Sequence, residues 1–150
     1  MRSLLLLLCL TLAGQAWALD KAAVEKLAFG DAEEKTAAIS ALVTEGDPRA
    51  VALLEALSEG DVQTAGKRVL IVKGEEATDA FTGEKIAKLP PEREDVVANN
   101  RLRREIEGAL AALKLLSPQR ALRLEAATAL AGGADASMLA LVRRALEKET

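Results

Sequence analysis

Apolar residues recur at intervals of three and four through most of this chain, the spacing of one face of an α-helix. Between residues 21 and 29 the apolar positions are Ala23, Val24, Leu27 and Ala28, and Gly30 stands where a helix would end. Asp31, followed three residues on by Glu34, is a capping-box pair. It predicts a second helix with Ala38, Ile39, Leu42 and Val43 as its inward face. Gly46 stops that helix and Asp47-Pro48 starts another, because proline at the first helical position lacks only a donor that would be unpaired there anyway. Val51, Leu53, Leu54 and Leu57 form its stripe, up to Ser58-Glu59-Gly60.

The period then changes. Arg68-Val69-Leu70-Ile71-Val72-Lys73 is rich in β-branched residues, lies between Gly66 and Gly74, and has no 3.6-residue alternation, so it predicts a strand. Residues 77–81 are its expected partner across a turn at Gly74-Glu75-Glu76. A second turn at Thr82-Gly83-Glu84 leads to a short third strand over residues 85–89. Such a hairpin or small meander is marginal alone and must lie on the helices to be stable. Pro90-Pro91 ends it.

From Glu92-Arg93-Glu94-Asp95 the longest helical pattern is expected, with Leu102, Ile106, Ala109, Leu110, Leu113 and Leu116 as its stripe and Asn99-Asn100-Arg101-Leu102-Arg103-Arg104 inside it or at its start. Ser117-Pro118 closes it and opens a helix carrying Leu122, Leu124, Ala127 and Leu130. After Gly132-Gly133, Asp135 is expected to cap a last helix through Met138, Leu139, Val142 and Leu146. Helix pairs joined by a Gly-Asp-Pro turn are the unit of a HEAT-like α-solenoid. Laying residues 34–54 over residues 122–142 pairs Leu42 with Leu130, Asp47 with Asp135, Val51 with Leu139 and Leu53 with Leu141, as two copies of one unit would. The expected fold is therefore mainly α: a first helical unit over residues 19–60, a β insert over 61–90, and a second helical unit over 91–150. The ending Lys148-Glu149-Thr150 reads as a cut within a solenoid, since end repeats normally carry a polar cap.

The first eighteen residues stand apart. A basic start at Arg2, an apolar run over residues 4–13 and the small residues Ala16 and Ala18 make a secretory signal peptide with cleavage expected after Ala18. The run is short of the roughly 20 residues of a membrane span. Leu8 before Cys9 speaks against a lipoprotein site. The net charge of −3 becomes slightly more acidic once Arg2 is lost, which disfavours phosphate binding. The chain has no histidine and Cys9 is its one cysteine. Disulfides, Cys or His metal sites, cysteine nucleophiles and Ser-His-Asp triads are thereby excluded after cleavage. Trp17 leaves with the leader, and Phe29 and Phe81 are too few for a base-stacking platform, so no nucleic-acid partner is expected.

Two segments carry candidate chemistry. Asn99 and Asn100 are a possible N-cap pair, with Arg101 and Arg104 one turn apart on one face; Arg101 with Glu105 and Arg103 with Glu107 have ion-pair spacing. These arginines are either solvated side chains at a helix start, or they pin the hairpin to the helices or present an anion or partner site. In Thr78-Asp79-Ala80-Phe81-Thr82-Gly83-Glu84, the side chains of Asp79 and Thr82 can bond nearby backbone. The segment is a structured turn or a docking tip. Its spacing fits no calcium loop, and nothing supplies Asp79 and Glu84 with the pocket that acid–base catalysis needs. No enzyme, metal or cofactor is expected.

Together the leader, Gly46-Asp47-Pro48-Arg49-Ala50, the segment 78–84, the stretch 99–104 and Leu115-Leu116-Ser117-Pro118 resemble the N-terminal extracytoplasmic region of the permease subunit of bacterial urea ABC transporters, in the branched-chain amino-acid-type permease family. The resemblance covers the chain from Leu19 on and is most specific at residues 99–104. It implies a periplasmic module attached to the inner membrane, with a periplasmic urea-binding protein and other transporter subunits as partners. The family's membrane-spanning part has no counterpart here, so no substrate-pathway residue carries over, and the implied role is docking or spacing. The alternative is a free-standing periplasmic HEAT-like interaction scaffold. Reading the gene past the codon for Thr150 separates the two.

Overall fold

The structure is a computed structural model that describes residues 19–132 and 138–148. The predicted signal peptide and the cap expected at Asp135 lie outside the described residues. Those residues form a mainly helical protein with a small antiparallel sheet inserted in its middle. The helices are α1 (Lys21–Phe29), α2 (Ala32–Glu45), α3 (Pro48–Glu59), α4 (Asn100–Lys114), α5 (Arg120–Ala131) and α6 (Leu139–Lys148). The strands, between α3 and α4, are β1 (Val62–Ala65), β2 (Arg68–Lys73), β3 (Glu76–Asp79) and β4 (Glu94–Asp95).

The helix starts follow from local chemistry. The Asp31 carboxylate accepts the N–H groups of Glu33 at 2.9 Å and Glu34 at 2.8 Å, while Glu34 reaches back to the Asp31 N–H at 3.1 Å, closing the predicted capping box. At the next junction Gly46 takes φ 68°, a left-handed conformation that ends α2. Asp47 accepts the Arg49 N–H at 2.8 Å with Pro48 in the first turn of α3.

The core is built on α4, which packs against α2, α3, α5 and α6. Leu102, Ile106, Ala109, Ala112 and Leu113 are its buried positions, and they meet Ile39, Leu42, Leu53, Leu54 and Leu57 in one cluster. Ile106 is fully buried, worth about 2 kcal/mol in apolar area removed from water. Gly108, costly by about 1 kcal/mol inside a helix relative to alanine, has a packing reason: an added Cβ would stand 2.8 Å from the Met138 side chain. The predicted pairing of α2 with α3 is not the main packing unit, because α2 lies chiefly on α1 and α4. The proposed repeat agrees in burial at Leu42 with Leu130 and at Leu53 with Leu141. It disagrees at Val51, half-buried, against Leu139, 49% exposed.

The sheet has the order β3-β2-β1-β4, every pair antiparallel. The predicted β2–β3 hairpin is present, with Lys73 opposite Glu76. Three expectations need correction. Residues 62–65, unassigned in the sequence, form β1, because Val62 and Thr64 alternate inward with Gln63 and Ala65. Residues 85–89 give one bridge, Lys85 to Thr78, in place of a strand. The third concerns residues 92–95, expected as helix. Glu94 and Asp95 pair with Thr64 and Gln63, and Val96 donates its N–H to Val62 O at 2.9 Å. Val96 and Ala98 are buried while Val97 is 73% exposed, a period of two that a helix cannot have. The charged run 92–95 is compatible with a helix, but the edge of β1 captures it after Pro90-Pro91. The Ser117-Pro118 junction also starts its helix later than expected: α5 begins at Arg120, and the Ser117 hydroxyl accepts the Gln119 N–H at 3.1 Å.

Candidate functional site

The turn after β3 is organised by Asp79. One of its carboxylate oxygens accepts the N–H groups of Phe81 and Thr82, each at 3.0 Å. The other faces the Arg68 guanidinium at 3.3 Å. The Thr82 hydroxyl accepts the Glu84 N–H at 3.2 Å, the Asp79 N–H donates to Glu84 O at 2.9 Å, and Gly83, at φ 74°, completes the reversal. Burial alone would push the Asp79 carboxyl up; the Thr82 and Phe81 N–H groups and the Arg68 guanidinium outweigh it and hold the pKa below the ordinary 3.8. Asp79 is thus committed to the turn and to β2. The Glu84 carboxylate is exposed and has no hydrogen bond or ion pair among the described residues.

At the start of α4 the two asparagines divide. The Asn99 side chain accepts the Leu102 N–H at 2.9 Å and is the N-cap; Asn100 is the first helical residue, with an exposed side chain. Arg101 and Arg104, expected to tie the β insert to the helices, make no hydrogen bond or ion pair among the described residues, and the spaced pairs Arg101–Glu105 and Arg103–Glu107 are not formed. Arg103 instead links α3 to the segment that enters α4. Its Nη1 donates to Ser58 O, near the end of α3, at 2.8 Å, and its Nε donates to Ala98 O at 3.1 Å. One side chain therefore joins the last turn of α3, the strand-like segment before α4 and α4 itself. The helix wheel sets Arg103 beside Leu110 at one margin of the core stripe but does not single that margin out. Arg101 occupies the opposite margin and lines a small cleft of about 130 Å³ with Lys35, Thr36, Val97 and Asn99.

Further polar contacts join the insert to α3, α3 to α4, and the strands of the insert to one another. Lys73 on β2 meets Glu59 at 3.0 Å and Asp61 at 3.9 Å, and Lys114 on α4 meets Glu55 on α3 at 3.2 Å. Arg93 donates to the Gln63 side chain at 2.8 Å and to Pro90 O at 2.6 Å, while Gln63 donates to Asp95 at 2.9 Å, so the chain returning from β3 is held at the β1–β4 edge. These pairs are solvent-exposed, and each contributes little to stability.

The sequence-predicted residues fall in two separate places, the turn 79–84 and the start of α4. A feature missed in the sequence is a trough of about 310 Å³ between α5 and α6. It is lined by Leu115, Leu124, Ala127, Val142, Ala145 and Leu146, with Arg120 and Arg123 at one end. Leu124 and Leu146, expected in the core, are 59% and 73% exposed. In α5 the inward positions are Ala126 and Leu130, in α6 Leu141 is buried, and Met138, just before α6, is buried as well. Both helices thus carry apolar residues on two faces, and only one is covered. Among the described residues no group of acidic, histidine or cysteine side chains is placed to hold a metal ion, and no helix is long and apolar enough to cross a membrane. No family model, curated protein or solved structure matches the chain.

Proposed function

We propose that the chain is a non-catalytic extracytoplasmic module of a urea ABC transporter permease, a docking or spacing element in the periplasm whose partners are the periplasmic urea-binding protein and the other transporter subunits. The observation that carries this reading is what its two most characteristic segments do. Asp79 and Thr82 build a turn, Asn99 caps α4 and Arg103 joins α3 to α4. Motifs that set shape suit a protein that works through its surface, and reacting groups would instead converge on a cavity. On this reading the helices are a short HEAT-like stack, with α2, α4 and α6 in mutual contact and α1 and α3 laid against them. The leader directs the chain across the inner membrane. The test is a calorimetric titration of residues 19–150 with the cognate urea-binding protein. Saturable binding is expected; no interaction, either with the isolated module or within the intact permease, removes the docking role.

A further inference from the structure

The outer edge of β4 is open, and its hydrogen-bonding pattern follows from the register. Val96 donates its N–H to Val62 O, so Val62 with Val96 and Thr64 with Glu94 are the hydrogen-bonded pairs between β1 and the returning chain. The N–H and C=O groups of Asp95 and Val97 therefore point away from β1. Neither residue's backbone has a hydrogen-bond partner among the described residues. The chain is still extended at Asn99, with φ −73° and ψ 171°, and then turns into α4. Asp95, Val97 and Asn99 share one face of this edge, and the Val97 side chain is 73% exposed. Val97 and Asn99 border the cleft of about 130 Å³ that also holds Lys35 of α2 and Arg101 of α4. Neither of those cations has a side-chain hydrogen bond or ion pair among the described residues.

We propose that this edge pairs with the same edge of a second copy of the chain, antiparallel about a two-fold axis at Val97, so that two four-stranded sheets join into one. In one register the edge is its own complement. With Val97 opposite its counterpart, the two valines exchange backbone N–H···O bonds and cover each other's exposed side chains. Asp95 then stands opposite Asn99 of the other copy, and its carboxylate meets Lys35 and Arg101 at the mouth of the cleft, a contact the symmetry makes twice. Pairing stops at Asn99, where α4 begins. Other registers lose this match. Centred on Asp95, two carboxylates face each other; centred on Val96, Asp95 lies opposite Val97 and away from the cations. The cleft itself is well below the roughly 300 Å³ at which small-molecule pockets begin, so a side chain is the occupant it suits. An uncovered edge is a template for another strand, and here the strand with the matching side chains is the chain's own. The inference is independent of the transporter reading.

The test is sedimentation velocity of the purified chain over roughly 1–500 μM, the range in which a small interface dissociates. A monomer–dimer equilibrium is expected. Val97→Lys should weaken it at least tenfold while leaving the circular dichroism spectrum unchanged, since that side chain is exposed in the single chain. Two charge variants then test the register. Asp95→Lys alone, and Lys35→Glu combined with Arg101→Glu, should each be monomeric, because each sets like charges together in both symmetric contacts. Mixed with one another they should form a heterodimer, because both contacts then join opposite charges. Should Asp95→Lys loosen β4, Val97→Lys alone still decides whether this edge is the interface. A chain that stays monomeric at every concentration overturns the proposal, as does a dimer that Val97→Lys leaves intact. Two charge variants that dimerise on their own, or that fail to pair when mixed, overturn the register.

Discussion

Arg103 links the end of α3 to the segment that enters α4, and its removal gives a sharp prediction. Arg103→Ala deletes two charge-assisted hydrogen bonds, to Ser58 O at 2.8 Å and to Ala98 O at 3.1 Å. Such a bond contributes roughly 1.5–3 kcal/mol where it is shielded. Here the guanidinium is solvent-exposed and water can replace part of each bond, so about 1–2 kcal/mol for the pair is the expected loss. For a chain of this size that lowers the melting temperature by roughly 3–8 °C. Urea denaturation followed by circular dichroism measures it, with an unchanged slope expected because the folded state stays equally compact. Arg101→Ala combined with Arg104→Ala is the control; both side chains are exposed and without partners among the described residues, so the change should stay within about 0.5 kcal/mol. If the double variant is destabilised as much as Arg103→Ala, or Arg103→Ala is neutral, the assignment of the link to Arg103 is wrong.

Asp79→Asn should cost about 1–2 kcal/mol at neutral pH, since the amide loses the ionic contact with Arg68 and weakens two backbone contacts. Because the folded pKa of Asp79 lies below 3.8, its contribution is fully present above that value and is lost as pH falls through the folded one. The stability gap between wild type and variant, measured by urea titration across pH 2–7, should therefore close at the acid end. Gly46→Ala should destabilise by about 1–2 kcal/mol in thermal melts, since it forces a side chain to φ 68°, with its Cβ 3.2 Å from the Leu116 and Arg144 side chains. Ile106→Ala should cost about 2–5 kcal/mol, the range for emptying a fully buried position, and stability unchanged in denaturant would mean that α4 is not the centre of the core.

The helices, most of their ends and the central hairpin could be read along the chain, because they depend on near neighbours. Asp31 with Glu34, and Gly46 with Asp47 and Pro48, act within a turn of themselves, and the 3.6-residue period already assigns Leu42, Leu54 and Ile106 to the interior. The turn at Asp79 is likewise local. Which of several equivalent surfaces meets a neighbour is settled by packing between segments far apart in the chain. Arg101 and Arg103 stand about 100° to either side of Leu102, and nothing in the sequence ranks them until α3 is placed beside one and α2 beside the other. Glu94 and Asp95 became a strand because β1, some thirty residues earlier, offered an unpaired edge. Leu124 and Leu146 had the spacing of core residues, but a helix with apolar residues on two faces buries only the one that finds a partner. The second faces of α5 and α6 are left lining the trough.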